Sequence, residues 1–334
     1  MKLVELLGLS QPPLLGVDIS CSGIKVVEID RNTKRPTVNA IARAPLCPEE
    51  FNGHLIRDPD RVGRELAELL KRHGIETHRA ATALASPVVF TRIISVPKVP
   101  RQELAELVRM EAANVIPHRI DSVKFDYQVL RAVPGNQLKV ILMAAKCEVV
   151  ENLVHTLTAA GLNTVVVDID TCAIQNSFDR SSGSRYPGKV VAIAHVGVRF
   201  TAVTISRDGE MLTCGDLRSN AAGDVSGDEI DRLATGLWRE LSELLRERGI
   251  FDSLDRIVLS GQVAHVEALR AKLAESSGIA TTIADPLHGF EFRSGINPAE
   301  GIEGSSDLAV ASGLALREVG DKADTAFPWE VSGR

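Results

Sequence analysis

Residues 14–29, LLGVDISCSGIKVVEI, decide the fold. Two short strand-like runs, 14–20 (LLGVDIS) and 24–29 (IKVVEI), flank the small-residue turn Cys21-Ser22-Gly23, and 37–44 (TVNAIARA) supplies a third strand. The same arrangement returns much later. Residues 190–196 (VVAIAHV), the turn Gly197-Val198-Arg199 and 200–206 (FTAVTIS) repeat strand, turn and strand, and Asp208-Gly209 signals a hairpin to a third strand. Sliding one copy onto the other places Asp18 on His195 and Ser20 on Gly197. A duplicated strand-turn-strand unit, each copy followed by helices, predicts two similar α/β lobes facing each other across a cleft.

Working outward, Val62, Leu66, Leu69 and Leu70 recur at helical spacing between Asp60 and Leu70, with Gly74 as the stop, and 80–86 (AATALAS) reads as a buried strand. A compact block follows. The apolar residues Leu104, Leu107, Val108, Ala112 and Val115 place a helix at 101–116 that Pro117 ends. Strands at 123–131 and 138–145 come next, around the turn Pro134-Gly135-Asn136, then a helix at 147–160 and a strand at 163–168. The polar stretch 179–188 (DRSSGSRYPG) reads as a connector between lobes. Past the second copy lie a helix at 228–248, a strand at 255–259 and the loop Ser260-Gly261-Gln262. Helices at 264–275 and 306–319 complete the chain's pattern.

Composition bounds the function. Hydrophobic residues make up 44% of the 334 and charged residues 25%, an ordinary globular balance that excludes a mainly disordered or disulfide-scaffold chain. The net charge of −6 leaves no overall positive field for nucleic acid or an anionic membrane. Cys21, Cys47, Cys147, Cys172 and Cys214 are scattered, odd in number and without C-x-x-C, so they read as reduced thiols rather than a zinc site or disulfide framework. No stretch approaches the roughly 18 apolar residues of a membrane span, and the first residues lack a signal-peptide core, so any membrane association is expected to run through a partner.

LGVDISCSGIKVVEI at 15–29, VPRQELAELVRMEAANVIP at 99–117, FDYQVL at 125–130, AAGLNTVVVDIDTCAI at 159–174, IVLSGQVA at 257–264 and ASGLALR at 311–317 carry a family likeness. On these segments the chain resembles the PilM family of actin-like proteins of type IV pilus assembly, relatives of the cell-division protein FtsA. The resemblance implies a bilobed actin-like (ribonuclease H-like) α/β fold, with a small α/β subdomain inserted in the first lobe and a shortened second lobe. The expected boundaries are 1–178 for the first lobe, about 94–167 for the insert, 189–320 for the second lobe and 321–334 for a tail.

In actin-like proteins two D-x-G turns clamp nucleotide phosphates from opposite lobes, because a carboxylate holds Mg²⁺ or its waters and a glycine lets backbone N–H groups approach phosphate oxygens. Here each turn departs from the pattern. The first keeps Asp18, with Gly23 in the turn, but has Ser20 in place of glycine; the second keeps Gly197 but has His195 in place of aspartate. Lys25 stands where the family places a phosphate-contacting lysine, although an exposed strand lysine would look the same in sequence. Ser260, Gly261 and Gln262 occupy the family's glycine loop against adenosine, and Gln262 puts a side chain there. Only 32 residues separate Gly227 from Ser260, too few for the usual helix pair of that lobe. Asp18 remains the one candidate for Mg²⁺, held through water.

The resemblance therefore implies a cytoplasmic scaffold of a pilus or related secretion platform with a degenerate ATP/ADP site. It would be peripheral at the inner membrane, and residues in 94–167 would hold the N-terminal peptide of a PilN-like membrane protein. The resemblance also implies other pilus platform proteins as partners and allows a homo-oligomer. The alternatives are an active Mg-ATP-dependent switch of the same fold and an actin-like small-molecule kinase, which needs a catalytic acid near the cleft. His195 as a general base competes with a purely structural imidazole at a strand end.

Overall fold

The computed structural model describes residues 13–32, 35–218, 227–261, 266–296 and 305–317. Strands β1 (Leu14–Ser20), β2 (Gly23–Asp30) and β3 (Thr37–Ala44) form an antiparallel meander. A minimal hairpin of β4 (Phe51–Asn52) and β5 (Leu55–Ile56) leads into helix α1 (Pro59–Arg72), and β6 (Arg79–Leu84) then lies parallel to β1. Helix α1 forms where its spacing predicts: the Asp58 side chain caps it by accepting from Arg61 N, Pro59 opens it, and Val62, Leu66, Leu69 and Leu70 bury one face.

Next comes a separate unit of β7 (Val89–Pro97), α2 (Arg101–Val115), β8 (Val123–Val133) and β9 (Gln137–Lys146), with sheet order β7-β9-β8. Leu104, Val108 and Ala112 of α2 pack on this sheet with Val140 and Leu142. Helix α3 (Cys147–Ala159) and strand β10 (Asn163–Ile169) do not belong to it. They return to the first lobe, where β10 pairs with β6 and Val150, Leu153 and Leu157 pack beside α1. The insert with its own sheet therefore spans Val89–Lys146 rather than 94–167, because parallel pairing of distant strands leaves no local mark.

Helix α4 (Asp170–Ser181) precedes the second lobe: β11 (Val190–Val196), β12 (Thr201–Arg207), β13 (Glu210–Leu217), α5 (Gly227–Glu247), β14 (Leu254–Gly261), α6 (Val266–Ser277) and β15 (Ala280–Ile283). Its order β13-β12-β11-β14-β15 matches β3-β2-β1-β6-β10 strand for strand, antiparallel on one side and parallel on the other. The duplication inferred from sequence is thus a duplication of topology. Among the described residues α5 is the one α-helix between β13 and β14, as the short spacing required. The chain then crosses back, since β16 (Glu291–Phe292) pairs with β3 and α7 (Ala309–Ala315) packs on β1 and β2. The last helix expected in the second lobe is therefore shared with the first, and the expected tail at 321–334 lies outside the described residues.

Alternation along each central strand sorts the layers. Leu15, Val17 and Ile19 face α1 and α3, while Leu14 faces a common core with Ala81, Val166, Ala173, Ile174, Val310, Leu314, Val191, Ile193 and Val258. Ala192, Ala194 and Val196 face α5 and α6. Helices α4 and α7 are thus one layer packed between two sheets. Their approach is backbone to backbone: a Cβ on Gly16 would sit 1.8 Å from Ala311 O, and one on Gly313 would sit 1.8 Å from Ala173 O. Arg317, just past α7, pairs in the interior with Asp168 of β10. Adding a methyl at such a contact forces the elements apart, so Gly16→Ala is expected to destabilise by about 1–3 kcal/mol or more. Urea midpoints of the two proteins check this; a wild-type midpoint would mean that α7 does not seat on β1 as described.

Candidate functional site

Cross-strand register builds the first wall of the cleft. Asp18 and Lys25 are partners across β1 and β2, which is why residues seven apart in sequence share one face. Lys25 Nζ donates to Ser22 Oγ at 2.6 Å and lies 3.4 Å from Asp18 Oδ2, and Ser22 Oγ is 2.8 Å from Ser20 Oγ. Lys25 is only 3% exposed, so it is not the solvated strand lysine that its sequence position also allowed. Burial pushes the Asp18 carboxyl up from its usual range, against the pull of the Lys25 ammonium.

The second wall is the equivalent strand end of β11. His195 is half-buried and shares a 2.9 Å hydrogen bond between Nδ1 and Ser260 Oγ, its register partner on β14. Burial, with the Lys25 charge across the cleft adding to it, presses the imidazole down to about 3, so His195 is neutral at physiological pH. A single cavity is lined by Asp18, Ser20 and Ser22 on one side and by His195 and Gly197 on the other, so the two duplicated turns do face one space.

The glycines have structural reasons of their own. A Cβ on Gly261, whose φ is +106, would lie 2.2 Å from Val196 O, so this position is set by contact between β14 and β11. Gly23, at φ +130, abuts Ala44 O in the same way. The Gly197 N–H is spent on Phe200 O at 3.0 Å, closing its turn. Gln262, the residue expected to crowd adenosine, lies outside the described residues.

Sequence reasoning missed two residues that line the cavity. Asp170 sits at the junction of β10 and α4, where Oδ2 accepts from Ser86 N at 3.0 Å and Oδ1 from Thr171 N at 2.6 Å. Burial pushes this carboxyl up to about 7 despite those bonds, and the nearby Asp18 charge adds to the shift. Its signal was the acidic pair in Val-Asp-Ile-Asp at 167–170, of which Asp168 is instead the buried partner of Arg317. Arg199, in the second turn, reaches from the other lobe to Pro48 O at 2.9 Å and to Gly53 O.

Magnesium held between opposed aspartates does not fit these residues. Asp18 is engaged by Lys25, and the facing group is a neutral imidazole committed to Ser260. Among the described residues, no group of three His, Cys, Asp or Glu side chains is placed to hold a metal ion. No helix among them is long and apolar enough to cross a membrane.

The family model described as type IV pilus assembly protein PilM matches residues 16–232 and 245–319. The chain belongs to this family. It is similar to a solved chain of the "PilM-PilN type IV pilus biogenesis complex", with TM-score 0.82 and 26% identity over 91% of this chain and 98% of that one. The ethanolamine utilization protein EutJ of Carboxydothermus hydrogenoformans, with TM-score 0.52 and 14% identity over 92% of this chain and 91% of that one, shares the fold alone. The fold is actin-like.

Two of the perturbed groups in this PilM-family cleft, His195 and Asp170, titrate with opposite signs. Folded His195 gains a proton only near pH 3 and its unfolded counterpart near 6.5, so its contribution to stability is present above about 6.5 and lost as pH falls toward 3. Folded Asp170 loses its proton near 7 and the unfolded carboxyl near 3.9, so its contribution is present at low pH and lost as pH rises to about 7. His195→Gln is therefore expected to flatten the loss of stability between pH 7 and 5. Asp170→Asn is expected to gain on wild type as pH rises from 4 to 8. Urea midpoints across this range check both, and parallel profiles for all three proteins would refute the assignments.

Proposed function

We propose that this chain is the actin-like scaffold of a type IV pilus or related secretion platform, acting at the cytoplasmic face of the inner membrane and holding the N-terminal peptide of a PilN-like membrane protein. The observation that carries the reading is the likeness, at 26% identity over 91% of this chain, to a chain from a PilM-PilN complex. The insert at Val89–Lys146 supplies what a peptide needs: a small sheet with two edge strands, β7 and β8, rooted beside the first lobe. A strand edge offers backbone hydrogen bonds, and side-chain pockets then give selectivity. Recruitment through such a peptide would bring a chain of net charge −6 to a membrane.

The cleft fits nucleotide binding better than nucleotide hydrolysis. The Ser20 and Ser22 hydroxyls, backed by the buried Lys25, and the Arg199 turn line the cavity and are groups that a polyphosphate such as that of ATP or ADP could meet, whereas turnover in this fold relies on charge neutralisation by a metal that His195 does not help to hold. Scaffold function then has no need of catalysis.

A second reading, an ATP-dependent switch or a kinase of the same fold, draws on one observation: Asp170 brings a second carboxyl to the cavity that contains Asp18. Two measurements separate these readings. Titration calorimetry with the N-terminal cytoplasmic segment of the PilN-like protein from the same genome is expected to show binding with and without ADP. Phosphate release from Mg-ATP is expected to stay at background and to be unchanged by Asp18→Ala. Absence of peptide binding would remove the scaffold role, and turnover abolished by Asp18→Ala would establish the switch.

A further inference from the structure

The two duplicated turns differ in length. Two residues, Cys21 and Ser22, separate β1 from β2, whereas four, Gly197 to Phe200, separate β11 from β12. The longer turn carries Arg199 and Phe200 across the cleft to the β4–β5 hairpin of the other lobe. Arg199 Nη2 donates to Pro48 O at 2.9 Å and Nη1 donates to Gly53 O, at the two ends of the segment that contains β4. The same guanidinium lies 6.0 Å from the centre of the Phe51 ring, and the Phe200 ring meets the His54 imidazole edge-on at 5.9 Å.

The hairpin is held differently at its base and its tip. At the base, Ile56 exchanges two 2.9 Å hydrogen bonds with the Asn152 side chain of α3, Phe51 and Ile56 are buried in the first-lobe core, and Arg57 Nε donates to Phe51 O. At the tip, Gly53 and His54 meet the second lobe through Arg199 and Phe200. The tip has only two paired residues on each strand below it, too few for a hairpin to be stable by itself. Behind it lies the cavity, whose lining includes Phe51, Gly53, His54 and Ile56 on the hairpin side and Val196 to Phe200 on the other, with Asp170 and Val310 from the interlobe helices.

We propose that Arg199 is an interlobe strap: by bridging the carbonyls of Pro48 and Gly53 it fastens the β4–β5 hairpin over the mouth of the cleft, and access to the cleft opens and closes with that contact. Helices α4 and α7 join the lobes through a continuous core, so this mouth is where the lobes can part without unpacking that core. The guanidinium suits the task because one planar group reaches two acceptors, which a lysine ammonium does not do in fixed geometry. For its consequence the proposal rests on the cleft being a ligand site; its geometry does not depend on that.

The test uses the full chain without ligand. Cys21 lines the cavity and is half-buried, so its alkylation by N-ethylmaleimide reports access, while exposed Cys47 reports reagent activity. Hydrogen exchange followed by peptide mass mapping reports the hairpin amides at 51–56. Arg199→Ala is expected to raise both the hairpin exchange and the Cys21 rate by roughly tenfold, with the exchange of α1 and β1 unchanged as a measure of intact folding. Arg199→Lys is expected to fall between. The Arg199 charge favours the Cys21 thiolate, so its removal alone would slow alkylation; a faster reaction therefore reports access. Wild-type exchange at 51–56 in both variants overturns the strap. Neither measurement involves nucleotide or PilN-like peptide, so that failure would leave the scaffold reading untouched.

Discussion

Three backbones touch at the centre of this molecule because two residues lack a Cβ. Gly16 on β1 lets α7 lie against the first sheet, and Gly313 on α7 lets α4 lie against α7. Both lobes are built on that contact: the side chains of α4 and α7 form one continuous apolar layer with Val191, Ile193 and Val258 of the second sheet. The first turn of α4 carries Asp170 to the cleft floor, and Val310 of α7 lies beside it. A spacing set by backbone contact is stiff, since protein interiors pack at crystal-like density and cannot absorb a methyl group there without movement.

Charge in the cleft follows from what each wall buries. The β1–β2 register forces Lys25 against Asp18, so the first wall holds a matched pair rather than an open carboxylate. The second wall holds an imidazole kept neutral by burial and by that same lysine. With Asp170 pushed up to about 7 and the Arg199 guanidinium on the lining, the cavity is not the acidic space that opposed aspartates would make.

Much of this was legible in the sequence where the information is local. The strand-turn-strand copies announce themselves through apolar runs around small turns, and Asp18, Ser20, His195 and Gly197 could be placed on facing walls by sliding one copy over the other. The capped, periodic helix α1 could be read in the same way. What pairs over long distances could not. β10 joins β6 across some eighty residues, α7 returns to β1 from the far end of the chain, and the insert's limits shifted accordingly. Asp170 and Arg199 look like ordinary polar residues at an element's end; only the closed fold brings them to one cavity. The glycines of the turns were read for ligand approach, whereas Gly23 and Gly261 are fixed by the strands beside them.

The insert has two working faces. One covers its own helix α2, and on the other Ile141 and Met143 of β9 share a cluster with Cys172 of α4 and Met211 and Cys214 of β13. Arg131 of β8 also stands 4.0 Å from Glu210 at the start of β13. The insert is therefore rooted in one lobe and leans on the other, so it spans the joint like a feeler gauge. A change in the angle between the lobes would shift Met143 and Ile141 against Met211 and Cys214 of β13. The same few side chains are where insert and second lobe register each other's position.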